Sequence, residues 1–264
     1  AVVAPLGAPW QQVLGERDIT VTIDSDLAEK LINYRTPMAH KGVNGNALII
    51  GGSNDMIGAP ILAAEAAVHS GAGKVTLGVP DEIKPVVQGR IIPEVMVTST
   101  EDNTAMLEGR QVVAMGPGLG RTSDIPDFVD SILDSYEGPL VLDADALYAL
   151  GHVGSVDKDA LRDGEIDSIY RVERDLPYCV MTPHLGEFSR LIDLPIKWIE
   201  RHYITLAREF AKAHQVVLVL KGIPSVVALP DGTVYINTIG NAGMGTGGMG
   251  DVLTGVIAGF VSQG

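Results

Sequence analysis

Between Asn241 and Gly264 the chain reads NAGMGTGGMGDVLTGVIAGFVSQG, with five glycines in the first ten residues and an apolar, helix-like run after them. Gly243, Gly245, Gly247, Gly248 and Gly250 allow backbone approaches that a β-carbon would forbid. Thr246 and its neighbours can turn several N–H groups into one concavity, and the following helix adds the partial positive charge of its N-terminus. Such a loop suits phosphate. It is not a Walker loop, because no Gly-Lys-Ser/Thr follows at the required spacing. Asp251 stands where the helix begins. Beside an anion hole, a carboxylate can take a proton from a hydroxyl while a phosphoryl group is transferred. The alternative is an aspartate that only caps the helix.

The elements that must position this loop are legible upstream. Asp24 to Ile32 reads as a short helix with an acidic first turn, interrupted by Pro37; residues 1–39 are taken as an N-terminal extension packed on the domain. From His40 onward strands and helices alternate. Strands are expected at Ala47–Ile50, Lys74–Val79, Gln111–Met115, Leu140–Leu142, Tyr178–Met181 and Val216–Leu220, with a helix opened by Gly58-Ala59-Pro60. Pro230-Asp231-Gly232 between Ser225–Leu229 and Thr233–Ile236 signals a hairpin.

This alternation predicts an α/β fold with a mostly parallel sheet covered by helices on both faces. In such sheets ligands bind beyond the carboxyl ends of the strands. Gly51-Gly52-Ser53, Gly116 to Gly120, Asp143, His184, Lys221 and the 243–251 loop all follow expected strand ends, so one rim carries nearly every polar motif. Each has a plainer explanation: a tight turn at 116–120, caps at Asp143 and Asp145, a histidine satisfied by Glu187, a solvated Lys221. Residues 151–177, charged and irregular, are expected to be a surface excursion.

Composition narrows the function. The net charge of −14 leaves no basic footprint for nucleic acid, so an anionic ligand must be held by local amides and a few cations. With Cys179 as the only cysteine, an intramolecular disulfide is excluded and a thiolate zinc cluster is not expected; Cys179 reads as a small buried residue. No apolar stretch reaches the ~18 residues of a membrane span. AVVAPLGAPW lacks a basic n-region, so no signal peptide and a cytoplasmic location are expected.

As an ordered set, the motifs resemble those of the ADP- or ATP-dependent NAD(P)H-hydrate dehydratases. They are His40-Lys-Gly, Gly51-Gly-Ser with Met56 and Gly58-Ala, Ser70-Gly-Ala-Gly, Gly116-Pro-Gly-Leu-Gly, Asp143-Ala-Asp-Ala-Leu, Thr182-Pro-His-x-Gly-Glu, Lys221-Gly and Gly247-Gly-x-Gly-Asp251. The resemblance covers roughly residues 40 to 264. It implies a ribokinase-like three-layer fold and repair of damaged nicotinamide cofactors. The (S)-hydrates NADHX or NADPHX would be dehydrated to NADH or NADPH, by phosphorylation of the hydrate hydroxyl and elimination of phosphate.

By the same resemblance Asp251 is the catalytic base, and Ala59, Gly118, His184 and Asp251 contact the hydrated nucleotide. Lys221, Gly222, Ile223, Pro224, Ser225, Gly247, Gly248 and Gly250 contact ADP or ATP, with Mg2+ on the nucleotide phosphates and no assigned protein ligand. A homotetramer is also implied, and so are C-terminal helices with a His-Gly motif that would follow Gly264. The chain departs from the family pattern at Leu185 for proline, at Ala242 for proline, at Gly245 for alanine and at Pro60 for alanine. Two other functions share these features: a ribokinase-like kinase of a vitamin-precursor alcohol, and a nucleotide-binding protein without turnover.

Overall fold

The computed structural model describes residues 19–32, 35, 37–163, 169–174, 176 and 178–264. In chain order the strands are β1 Thr20–Thr22, β2 Asn46–Ile50, β3 Lys74–Val79, β4 Val95–Ser99, β5 Val112–Met115, β6 Leu140–Leu142, β7 Gly154–Val156, β8 Tyr170–Val172, β9 Cys179–Met181, β10 Val217–Leu220, β11 Ser225–Ala228 and β12 Val234–Asn237. The helices are α1 Ser25–Leu31, α2 Gly58–His69, α3 Lys84–Gln88, α4 Asn103–Leu107, α5 Ile125–Ser135, α6 Ala144–Ala149, α7 Lys158–Asp163, α8 Leu185–Leu191, α9 Ile196–Arg201, α10 Tyr203–His214 and α11 Met249–Val261. Ten strands form one sheet in the order β1-β12-β11-β10-β9-β6-β5-β2-β3-β4. Only β11 runs against the rest.

Side chains that alternate along a strand point to opposite faces, and a parallel sheet buried on both sides is therefore apolar at every position. Leu48 and Ile50 of β2, with Val113 and Met115 of β5, join one core, packed under α5, α6, α8, α9 and α10. Ala47, Ile49, Val112 and Ala114 join the other, under α2 and α11. The first core is closed by edge-to-face contacts of Phe210 with Phe188 and Tyr170, at 5.2 and 5.7 Å.

The second core is built on close approach. A Cβ on Gly255 of α11 would lie 2.0 Å from the Ala63 carbonyl oxygen of α2, and one on Gly259 would lie 2.7 Å from Ser70 Cβ. Small residues one turn apart thus let the two helix backbones nearly touch, and this sets the height of the α11 N-terminus above the sheet.

Two regions differ from the sequence-based expectation. The described part of residues 151–177 is not merely a surface excursion: β7 and β8 pair as an antiparallel ribbon, and Val153, Leu161, Ile169 and Tyr170 are buried. The charged residues lie between apolar ones that face inward, so the mean polarity of the segment hides its core side. The described part of the first 39 residues does more than pack on the domain. There α1 is capped by Asp24 and β1 pairs in parallel with β12 as the edge of the main sheet. Arg208 ties that edge down through Gly232 O at 3.0 Å and Thr20 Oγ1 at 2.6 Å. Among the described residues no helix is long and apolar enough to cross a membrane.

Replacing Gly255 by alanine should force the two helices apart and cost about 1–3 kcal/mol. Thermal denaturation should show a midpoint lower by about 5 °C, and an unchanged midpoint would refute the close-packing account.

Candidate active site

The rim at the carboxyl ends of the parallel strands gathers the polar groups that the sequence singled out. Asp143 follows β6 and is 1% exposed. It sits at the N-cap position of α6, yet its carboxylate does not cap that helix. Oδ1 instead accepts from Lys221 Nζ at 2.8 Å, and Oδ2 accepts from the Thr254 hydroxyl of α11 at 2.8 Å. Three elements therefore meet at one carboxylate. Lys221 is held from below as well, because its backbone N–H donates to Pro183 O at 2.8 Å. The residue after Asp143, Ala144, has φ +46°, a left-handed conformation that costs a non-glycine residue about 1 kcal/mol or more.

Asp251 lies one turn before Thr254, in the first turn of α11, half-buried. The helix is entered through Gly248 with φ +91° and no side-chain cap. A β-carbon there would lie 2.6 Å from Leu62 Cδ1, the tip of a side chain that can shift, so the left-handed conformation is what favours glycine. Asp251 is therefore not the cap of the helix, and the amides of its first turn are left to another acceptor. Burial, then the charge of Asp143, push the Asp251 carboxyl above the usual aspartate range; Lys221 opposes this and Asp145 adds to it. A β-carbon on Gly250 would lie 3.6 Å from Lys221 Nζ and 3.7 Å from Asp143 Oδ2. Gly250, Lys221 and Asp143 thus share one corner.

His184 follows β9 and caps α8. Its Nδ1 accepts from the N–H groups of Gly186 and Glu187 at 3.0 and 3.2 Å, and Glu187 Oε2 accepts from the His184 N–H at 2.8 Å. An accepting Nδ1 leaves the ring proton on Nε2, which lies 3.5 Å from Glu187 Oε1 on a side chain that is 60% exposed. Glu187 also approaches Lys221 Nζ at 4.0 Å. The histidine is thus fixed on one edge and open on the other.

Ala59 and Gly118 are brought together: a β-carbon on Gly118 would lie 3.2 Å from Ala59 Cβ. Gly222 and Ser225 close a turn through the serine hydroxyl, which donates to Gly222 O at 3.0 Å, with Ile223 and Pro224 exposed between them. Gly247 is exposed and faces open space.

The sequence pattern did not single out Thr254 or the pairing of Asp143 with Lys221, which are 78 residues apart. Nor did it show that Asp145 binds the 116–121 turn, accepting from Gly120 N at 3.0 Å and Arg121 Nε at 2.9 Å. Thr254 at three residues past Asp251 was the available signal, a hydroxyl on the same helix face.

The fold and this rim define a ribokinase-like α/β protein. A solved ribokinase-like superfamily protein from Enterococcus faecalis superposes with a TM-score of 0.76 at 29% identity, covering 92% of this chain and 80% of that one. A solved ADP/ATP-dependent NAD(P)H-hydrate dehydratase from Bacillus subtilis, co-crystallised with ATP and Mg2+, gives a TM-score of 0.76 at 30% identity, with 92% and 81% covered. Residues 47–264 match the family model for NAD(P)H-hydrate dehydratase, and the chain belongs to that family. A bifunctional NAD(P)H-hydrate repair enzyme from Moorella thermoacetica is 36% identical over 275 residues, which take in 99% of this chain and 49% of that protein. The chain spans about half the length of the first curated relatives it matches.

Lys221→Met leaves the Asp143 carboxylate buried without its counter-charge, and should cost about 3 kcal/mol in chemical denaturation. Adding Asp143→Asn to the same chain should return much of that loss. A loss in the double variant equal to the sum of the losses in Lys221→Met and Asp143→Asn alone would show that the pair is not coupled.

Proposed function

We propose that this chain dehydrates (S)-NADHX or (S)-NADPHX to NADH or NADPH at the expense of ADP or ATP. The observation that carries the reading is Asp251, half-buried with a raised pKa at an uncapped helix N-terminus, beside the Lys221–Asp143 pair. The names of the family and of the B. subtilis structure support the same reaction.

In this reading Asp251 takes the proton of the hydrate hydroxyl as its oxygen bonds to the terminal phosphorus of the nucleotide. The bond from that phosphorus to the leaving nucleotide breaks. The ester then loses phosphate, a far better leaving group than hydroxide, while the neighbouring ring carbon gives up its proton to the departing phosphate or to water, and the ring double bond forms. The amides from Gly247 to Gly250 stabilise the charge on the transferring group. Lys221 to Ser225, with Gly247, Gly248 and Gly250, hold the adenine nucleotide. Ala59, Gly118 and the Nε2–H of His184 hold the hydrated ring.

The described residues contain no group of three His, Cys, Asp or Glu able to cage a cation. A magnesium ion would sit on the nucleotide phosphates, as implied by the B. subtilis structure co-crystallised with ATP and Mg2+. When bound, it would neutralise phosphate charge. A homotetramer, a cytoplasmic location and a catalytic unit of residues 40–264 complete the proposal.

The test mixes protein, magnesium, NADHX and either ADP or ATP, and follows reduced-nicotinamide absorbance together with phosphate release. Both should rise in step. A stable phosphate ester without new absorbance would instead indicate a small-molecule kinase.

Asp251→Asn should abolish turnover while sparing nucleotide binding, measured by calorimetry. Because its pKa is raised, the base form is lost as pH falls through a value above that of an exposed aspartate. The acid limb of kcat/KM should lie correspondingly high. Asp143→Asn removes a charge that raises this pKa and leaves Lys221 to lower it, so the limb should move to lower pH. A limb that stays in place in this variant would rule Asp251 out as the titrating base.

His184→Ala should raise the KM for the hydrated substrate more than the KM for ADP or ATP. Equal increases would argue against the division of the rim into two subsites.

A further inference from the structure

Beside the rim lies a second group of cations that the reaction above does not use. The guanidinium carbons of Arg121 and Arg190 both sit over the ring of Tyr148, each 4.3 Å from its centroid. The carboxylates facing them are already engaged. Asp145 gives one oxygen to Gly120 N and the other to Arg121 Nε, while Glu187 accepts from His184 N and approaches Lys221.

Arg190 is left without a hydrogen bond at Nε and Nη2, both of which are buried. Burial pulls its pKa down, Glu187 raises it, and Arg121 lowers it further as a like charge. Arg121 commits only its Nε, and its side chain is 58% exposed, so the outer edge of its fork is open. The Ser53 hydroxyl is also buried without a partner, 3.7 Å from where a β-carbon on Gly120 would stand. An unsatisfied hydroxyl thus borders the 118–121 turn, and unsatisfied guanidinium nitrogens lie beside Tyr148. Buried polar groups are rarely left so unless something else completes them.

An anion would complete donors of this kind. A guanidinium fork matches the geometry of a phosphate. The chain carries a net charge of −14, so a phosphate-bearing ligand needs such local cations, and Lys221 is already paired. The position fits as well. Asp145, which holds Gly120 N and Arg121 Nε, lies two residues past Asp143 in the first turn of α6, so Arg121 stands next to the turn that carries Gly118.

We propose that Arg121 and Arg190, held against Tyr148, form a subsite for a phosphate group of the dinucleotide substrate, remote from the phosphate that is transferred. The proposal rests on the functional reading above and adds the residues that hold the far part of the substrate. The phosphate is either one of the bridging pyrophosphate or the 2′-phosphate of the NADP series.

The test titrates NADH, NADPH and dihydronicotinamide riboside, which has no phosphate, against wild type, Arg121→Gln and Arg190→Met, with ADP saturating the nucleotide site. Each variant should weaken dinucleotide binding by about tenfold or more and leave riboside and ADP binding unchanged. Loss shared by NADH and NADPH assigns the pyrophosphate; loss confined to NADPH assigns the 2′-phosphate. Arg190→Met should also largely keep the thermal midpoint, since Nε and Nη2 have no hydrogen-bonded partner to lose. A fall in midpoint with parallel loss of riboside binding would make the arginine structural and overturn the proposal. Wild-type dinucleotide affinity in both variants would overturn it alone. A wild-type protein that binds neither dinucleotide would overturn it together with the functional reading.

Discussion

The buried ion pair between Asp143 and Lys221 is the constraint on which the rim depends. Neither residue lies next to the other in the sheet, because β9 runs between β6 and β10. The lysine must reach across one strand, and it does so from a backbone fixed on Pro183 O. Taking two charges out of water is costly, and their attraction offsets that cost only when geometry and further hydrogen bonds are good. Thr254 supplies the further bond at Asp143 Oδ2. That bond also fixes the rotation of α11. Since Asp251 lies three residues earlier, on the same face, the ion pair indirectly aims the candidate base.

A second constraint works along the helix rather than around it. Glycine inside a helix costs roughly 1 kcal/mol relative to alanine, and α11 carries Gly255 and Gly259 in its interior. The cost is offset by contact with α2, whose Ala63, Ala67 and Ser70 leave no room for a β-carbon. With the helices this close, Gly248 must also pass under Leu62, and the loop can enter α11 only through a left-handed residue. Packing at the middle of α11 and anion-binding geometry at its start are therefore one problem.

Much of this was legible in the sequence, for a physical reason. Short apolar runs ending in Gly, Asp, His or Lys announce parallel strands whose polar groups emerge at one edge, and β2, β3, β5, β6, β9 and β10 were found that way to within one residue. What stayed hidden depends on contacts far apart in the chain. Edge strand β1 has only three residues and acquires meaning by pairing with β12. Edge strand β4 alternates too weakly to stand out between two short helices. Tyr170 sits in a polar segment, and its burial rests on Phe210 packing against its ring and on Leu206 O accepting its hydroxyl. At the rim, residue types predicted the place but not the partners: Asp143 reads as a helix cap until Lys221 and Thr254 take both its oxygens.

The same carboxylate has two effects of opposite sign. Its charge holds Lys221 and Thr254 in place, and it raises the pKa of Asp251. Removing it would leave Asp251 easier to ionise but a weaker base, attached to a helix no longer locked in rotation. Lys221 works the other way, since its charge lowers the Asp251 pKa. In the proposed reaction nucleotide phosphates arrive beside Lys221 and draw on its charge, which leaves the lysine less able to hold the Asp251 pKa down. The candidate base therefore becomes stronger as the site fills, and is at its strongest when a hydroxyl and a phosphoryl group are present together.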